Sequence, residues 1–175
     1  MKKSMLILIS VVMIFTACDK SSTKTIDPAE EFNGVMFGMT KEEVINVIGK
    51  QPDNVSDSYG DFLTYENEVY FNITNAQIDY SFDNNGELDG IIIDFSLSES
   101  MQDEKPIDFD SIKKELLKRY PEETFTYVKD EDNSFNFVTD TRVVGLYNDD
   151  YFNKVSVSIG DAVKGREELN QSTTT

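Results

Sequence analysis

The sequence predicts an α+β fold: two helix-then-antiparallel-strands repeats, with helices covering one face of the sheet. Three observations carry that expectation. Residues 40–49 hold a complete set of helix start and stop signals and precede three runs of alternating apolar residues. A second helical pattern opens at Asp108 or Asp110 and precedes further alternating runs. Between them lies a polar, acidic stretch, 98–107, that contains Pro106. Strands that follow a helix and are joined by short turns pair with their sequence neighbours and leave the helix to cover one side.

The chain begins MKKSMLILISVVMIFTAC. Lys2 and Lys3 form a positive start, and Met5 to Ala17 is an uncharged, mostly apolar run. Such a run suits a secretory leader, which needs roughly 7–15 apolar residues, and is too short for a membrane span of about 20. Thr16-Ala17 before Cys18 resembles the lipobox cut by lipoprotein signal peptidase. Cys18 is the single cysteine of the chain, so a lone thiol in an exported protein finds its explanation in lipidation. The expectation is a signal peptide over 1–17 and an acylated Cys18. Residues 18–31 read as a flexible tether that reaches about 20 Å on average and about 45 Å at full stretch.

The first repeat is expected over 32–97. Thr40 and Glu43 have the spacing of a capping box, and Met39 and Val44 that of a hydrophobic staple. Val44, Ile45, Val47 and Ile48 make one apolar stripe, Gly49 suits the left-handed stop, and Pro52 prevents resumption. The helix spans about 41–48, too short to stand without docking on something. Three alternating runs follow: Val69, Phe71 and Ile73; Ile78, Tyr80 and Phe82; Ile91, Ile93, Phe95 and Leu97. Asp83-Asn84-Asn85-Gly86 between the last two reads as a hairpin turn. A calcium loop through Asp83, Asn85, Glu87 and Asp89 is disfavoured, because Leu88 stands where such a loop needs Gly.

A linker over 98–107 leads to the second repeat at 108–160. Ile112, Leu116, Leu117 and Tyr120 share one helix face, and Pro121 ends it. Strand patterns return at Phe125 and Tyr127, at Phe135 and Phe137, over Val143 to Tyr147, and at Val155, Val157 and Ile159. Residues 161–175 are polar, end in three threonines and read as a disordered tail.

Composition excludes several classes of function. There is no histidine, and the one thiol is assigned to lipidation, so Ser-His-Asp and Cys-His catalysis and imidazole or thiolate zinc sites are ruled out within the chain. The net charge is −17, and becomes −19 once Lys2 and Lys3 leave with the leader. Phosphate backbones and anionic lipid surfaces would both repel such a protein. No cofactor and no nucleic acid are expected.

Residues 38–52, Gly-Met-Thr-Lys-Glu-Glu-Val followed by Gly49 and Pro52, resemble the signature of the SmpA/OmlA/BamE family of small lipoproteins. Leu63-Thr64-Tyr65 and Tyr80 to Leu88 are similar in kind to the family's strand and hairpin, although Leu63-Thr64 replaces its frequent Trp. A doubled version of such a layer is similar to the fold of β-lactamase inhibitory proteins, whose exposed sheet face grips a partner. The resemblance implies a binding module rather than an enzyme. The expectation is therefore a lipid-anchored protein on the extracytoplasmic side of the cell membrane that binds an envelope protein. By alternation, Tyr70, Asp79 and Asp94 point away from the helix and are the candidate contact residues. The alternatives are a carboxylate-dependent hydrolase of envelope glycans, for which no acid pair stands out among 33 acidic residues, and a cation- or ligand-binding lipoprotein.

Overall fold

The structure, a computed structural model, describes residues 32–57, 61–96, 108–149 and 154–163. The leader, Cys18, the tether and the linker lie outside the described residues, as does most of the C-terminal tail. Helix α1 spans Lys41–Ile48 and α2 spans Phe109–Arg119. The strands are β1 (Asn54–Ser56), β2 (Asp61–Tyr70), β3 (Ile73–Phe82), β4 (Leu88–Ser96), β5 (Tyr127–Glu131), β6 (Ser134–Val138), β7 (Arg142–Asp149) and β8 (Lys154–Asp161).

Local chemistry accounts for both helices. The Thr40 hydroxyl accepts from the Glu43 amide at 3.4 Å, and the Glu43 carboxylate accepts from the Thr40 amide at 2.8 Å. Gly49 then takes φ 77° and its amide donates to the Ile45 carbonyl. Backbone bonds between Gly38 and Leu88, and between Leu88 and Met39, fasten the start of α1 to the start of β4. In α2, Asp108 accepts from the Ser111 amide at 2.6 Å, while Lys118 and Arg119 complement the dipole at the far end. The two Thr40 hydrogen bonds hold the Glu43 carboxyl below its ordinary value of 4.5. Its contribution is therefore complete above pH 4.5 and disappears as pH falls through the lowered native value. Glu43→Gln is expected to lower stability slightly above pH 4.5 and to leave it unchanged below the lowered native value, so that the acid limb of a stability-versus-pH curve flattens; an acid limb identical to the parent's would refute this.

The eight strands form one antiparallel sheet in the order β1-β2-β3-β4-β8-β7-β6-β5. This corrects the expected fold class. The architecture is dominated by a single sheet with two short helices, not by two helix-then-strand repeats. The overturning feature is the seam between β4 and β8. Seven consecutive register pairs, from Gly90↔Gly160 to Ser96↔Lys154, carry the hydrogen-bond ladder through the middle without a break. Helix coverage also falls short of the expectation. Eight strands span about 34 Å at their normal spacing, whereas helices of 8 and 11 residues are only about 12 and 17 Å long. Phe32, Val35 and Tyr120, from segments outside the two helices, complete the core.

Register sorts the side chains into two faces. On the core face, one row runs Leu63, Tyr80, Ile91, Ile159, Val144, Phe137, and the next runs Tyr65, Ile78, Ile93, Val157, Leu146, Phe135. All twelve are buried, together with Val44 of α1 and Ile112 and Leu116 of α2. Phe125 stacks on Phe137 at 4.3 Å, with Phe135 and Tyr120 against the same rings.

The strand expected through Val69, Phe71 and Ile73 is instead the end of a hairpin. Phe71 and Asn72 are its two turn residues, both at positive φ (52° and 60°). This is the mirror-image geometry that matches strand twist. The Asp83–Gly86 turn forms as expected, with Asp83 accepting from the amides of Asn85 and Glu87.

Candidate functional site

Both helices engage side chains of the core face. Lys113 of α2 stands over the Phe135 ring at 4.5 Å and pairs with Asp130. Lys50, just after α1, stands over the Tyr65 ring at 5.3 Å. The opposite face carries no described element. It consists of three registered rows. One runs Ser56, Phe62, Ser81, Gly90, Gly160, Val143, Val138, Tyr127. The next runs Asn54, Thr64, Asp79, Ile92, Ser158, Gly145, Asn136, Lys129. The third runs Gln77, Asp94, Ser156, Tyr147, Ser134, Glu131.

Asp79 and Asp94 both lie on this open face, one row apart on adjacent strands. Their oxygens are already engaged. Asp79 accepts from the Thr64 hydroxyl at 2.6 Å and from Gln77 Nε2 at 2.8 Å. Asp94 accepts from the Ser156 hydroxyl at 2.6 Å and forms an ion pair with Lys154. A third acid, Asp89, accepts from Ser81 at 2.6 Å. Each carboxylate is thus fixed in direction by a hydroxyl on a neighbouring strand, which makes it an oriented acceptor rather than a loose surface charge.

Tyr70 is placed elsewhere. It is buried, and its hydroxyl accepts from Arg119 Nη1 at 2.5 Å. Alternation from β2 puts it on the open face, but irregularities between Tyr65 and Glu68, and again before Tyr70, change the parity. Asn67 supplies the left-handed residue that such a bulge requires (φ 57°). Tyr70 therefore leaves the candidate set as a core residue, a correction of the expected orientation.

The most exposed large side chains of the open face lie where alternation in the second half, not the first, would have located them. Tyr127 is 56% exposed, Val143 45% and Tyr147 45%. Val144 and Leu146 face the core, so Val143, Gly145 and Tyr147 must face out. Tyr147 lies back along its own strand over Gly145: a Cβ added at Gly145 would meet the Tyr147 ring at 2.6 Å and the Ser158 hydroxyl at 2.8 Å. Glycine at 145 is thus what allows the tyrosine to lie flat on the sheet, with one ring face turned outward.

Among the described residues no helix is long and apolar enough to cross a membrane. Comparison of the chain with protein-family models, with curated proteins and with solved structures finds no match in any of the three.

Proposed function

We propose that this chain is a lipid-anchored extracytoplasmic lipoprotein of the cell envelope, and that it binds another envelope protein through the open face of its sheet. The observation that carries the reading is the group Tyr127, Val143 and Tyr147, three large side chains left about half exposed on a face with no described element over it. Tyrosines with one free ring face and little rotamer freedom are the commonest anchors of protein interfaces. Asp79, on the same face three strands from Tyr147, is held as an oriented acceptor, which favours a partner surface that offers amide, Lys or Arg donors there, whereas Asp94 is buried and paired with Lys154. The overall charge of −17 steers the same way. Membrane attachment rests on the Thr16-Ala17-Cys18 motif and its apolar leader, and the resemblance of residues 38–52 to small envelope lipoproteins supports the same location.

Photo-crosslinking in intact cells tests the binding face. A crosslinking residue at 143 is expected to capture a small, reproducible set of envelope proteins, and one at 114, on the exposed side of α2, none of them. Adding Tyr147→Ala to the position-143 probe should cut the adduct about tenfold or more. Equal capture from both faces, or none from either, refutes the proposed interface. In the same cells Cys18→Ser should move the protein from the membrane to the soluble fraction; retention at the membrane would refute the lipid anchor.

A further inference from the structure

On the other side of the sheet, between α1 and the β2–β3 hairpin, lies a cleft of about 330 Å³. Its walls include Val47, Ile48 and Ile78 with the rings of Tyr65 and Tyr80. Lys50 and Glu68 stand at it and form an ion pair with each other. That volume sits at the small end of natural ligand sites, which combine an apolar lining with a few placed polar groups.

Tyr80 gives the cleft its chemistry. The residue is 7% exposed and lines the cleft, yet its hydroxyl makes no hydrogen bond among the described residues. The Tyr80 oxygen is not among the fully buried unpaired atoms, so it opens to the cleft and can donate to whatever occupies it. The neighbouring phenol does not serve: the Tyr65 ring meets Tyr80 edge to face at 5.7 Å, and the Tyr65 hydroxyl donates weakly to the Lys50 carbonyl at 3.4 Å. Burial pushes the Tyr80 pKa well above its ordinary value, with Tyr70, Tyr65 and Glu68 adding to the effect. The group is thus a phenol proton donor at every physiological pH.

We propose that this cleft binds one uncharged small molecule with an apolar body, through an oxygen acceptor placed on the Tyr80 hydroxyl. Three features select that class. The donor lacks an acceptor, so the ligand supplies one. Val47, Ile48, Ile78 and the rings of Tyr65 and Tyr80 form an apolar wall beside the polar groups of Asn33, Lys50 and Glu68, which gives a small apolar body one surface to pack on. The two charges at the cleft neutralise each other, so neither a cation nor an anion finds an unpaired counter-charge, and an anion also meets the field of a chain at −17. The cleft uses the opposite side of the sheet from the proposed protein interface, so the two readings stand or fall separately.

The test uses two probes, acetanilide (phenyl body, amide carbonyl) and ethylbenzene (similar body, no acceptor), titrated into the full chain and followed by amide chemical shifts. Acetanilide is expected to give saturable one-to-one shifts at residues 47–50 and 78–80. Tyr80→Phe keeps the ring and removes the donor, and should weaken acetanilide about tenfold while leaving ethylbenzene unchanged. Val47→Phe, at a helix position 40% exposed, fills the cleft from its rim and should abolish the binding of both probes without touching Tyr80. Shifts that rise linearly without saturation overturn the proposal. So does equal acetanilide affinity in the parent and in Tyr80→Phe, or undiminished binding in Val47→Phe, which serves as the second arm should Tyr80→Phe fail to fold.

Discussion

Replacing Ile93 by Ala is expected to lower the unfolding free energy by about 2–5 kcal/mol and to do so across the whole sheet in one transition. Ile93 is fully buried on β4, flanked by Ile78 of β3 on one side and Val157 of β8 on the other. Truncation leaves a cavity at the centre of a row that runs from Tyr65 to Phe135. Because the seam between β4 and β8 has seven unbroken pairs, the damage should be felt on both sides of it. Urea melts followed by circular dichroism should show a lower midpoint with an unchanged slope. Amide exchange should speed up together at residues 63–65 and 135–137. Two separate transitions, or exchange confined to one side, would mean that the seam does not couple the two sets of strands.

Arg119→Ala is expected to cost about 2–4 kcal/mol, an unusually large effect for one arginine. Arg119 ends α2 and donates to the Tyr70 hydroxyl, and its guanidinium stands 5.2 Å from the centres of both the Tyr70 and Phe71 rings. Removing it leaves a buried phenol oxygen without that donor, and also removes two cation–ring contacts. It also removes a contact that holds the turn at Phe71, whose φ of 52° costs a residue with a side chain about 1–2 kcal/mol, so any relaxation there offsets part of the loss. Phe71 tolerates it because its ring packs on Tyr70 at 4.6 Å and on Phe95 at 6.3 Å. Arg119→Lys should recover less than half of the loss, because an ammonium cannot lie flat over two rings while donating to a third group. Thermal melts decide it: a loss under about 0.5 kcal/mol would mark this contact as incidental.

The parts of this fold legible in the sequence are those set by short-range rules. The α1 caps, the Asp108 cap of α2 and the Asp83–Gly86 turn each depend on residues within four positions of one another, and all stand as expected. Inward alternation along β3, β4 and β8 was equally plain. What escaped was pairing over distance. Nothing in the runs around Ile93 and Val157 says that they are neighbours, 64 positions apart, so the chain read as two covered layers rather than one sheet. The orientation of the candidate residues was lost or kept by the same rule. Asp79 and Asp94 lie on regular strands and kept their parity, whereas Tyr70 lies beyond bulged positions near Asn67 and reversed it. The open-face residues Val143 and Tyr147 were accessible to the same counting, since Val144 and Leu146 are the obvious inward pair.

The strand order also dictates a timetable. β8 is the last strand among the described residues, and its pairing with β4 closes the middle of the sheet. Until residues 154–161 emerge, whether from a ribosome or from an export channel, β4 presents a bare row of amides and carbonyls along Gly90 to Ser96. Closure of the sheet consequently comes late: β2, β3 and β4 can meander together early, but the central ladder waits for residues 154–161.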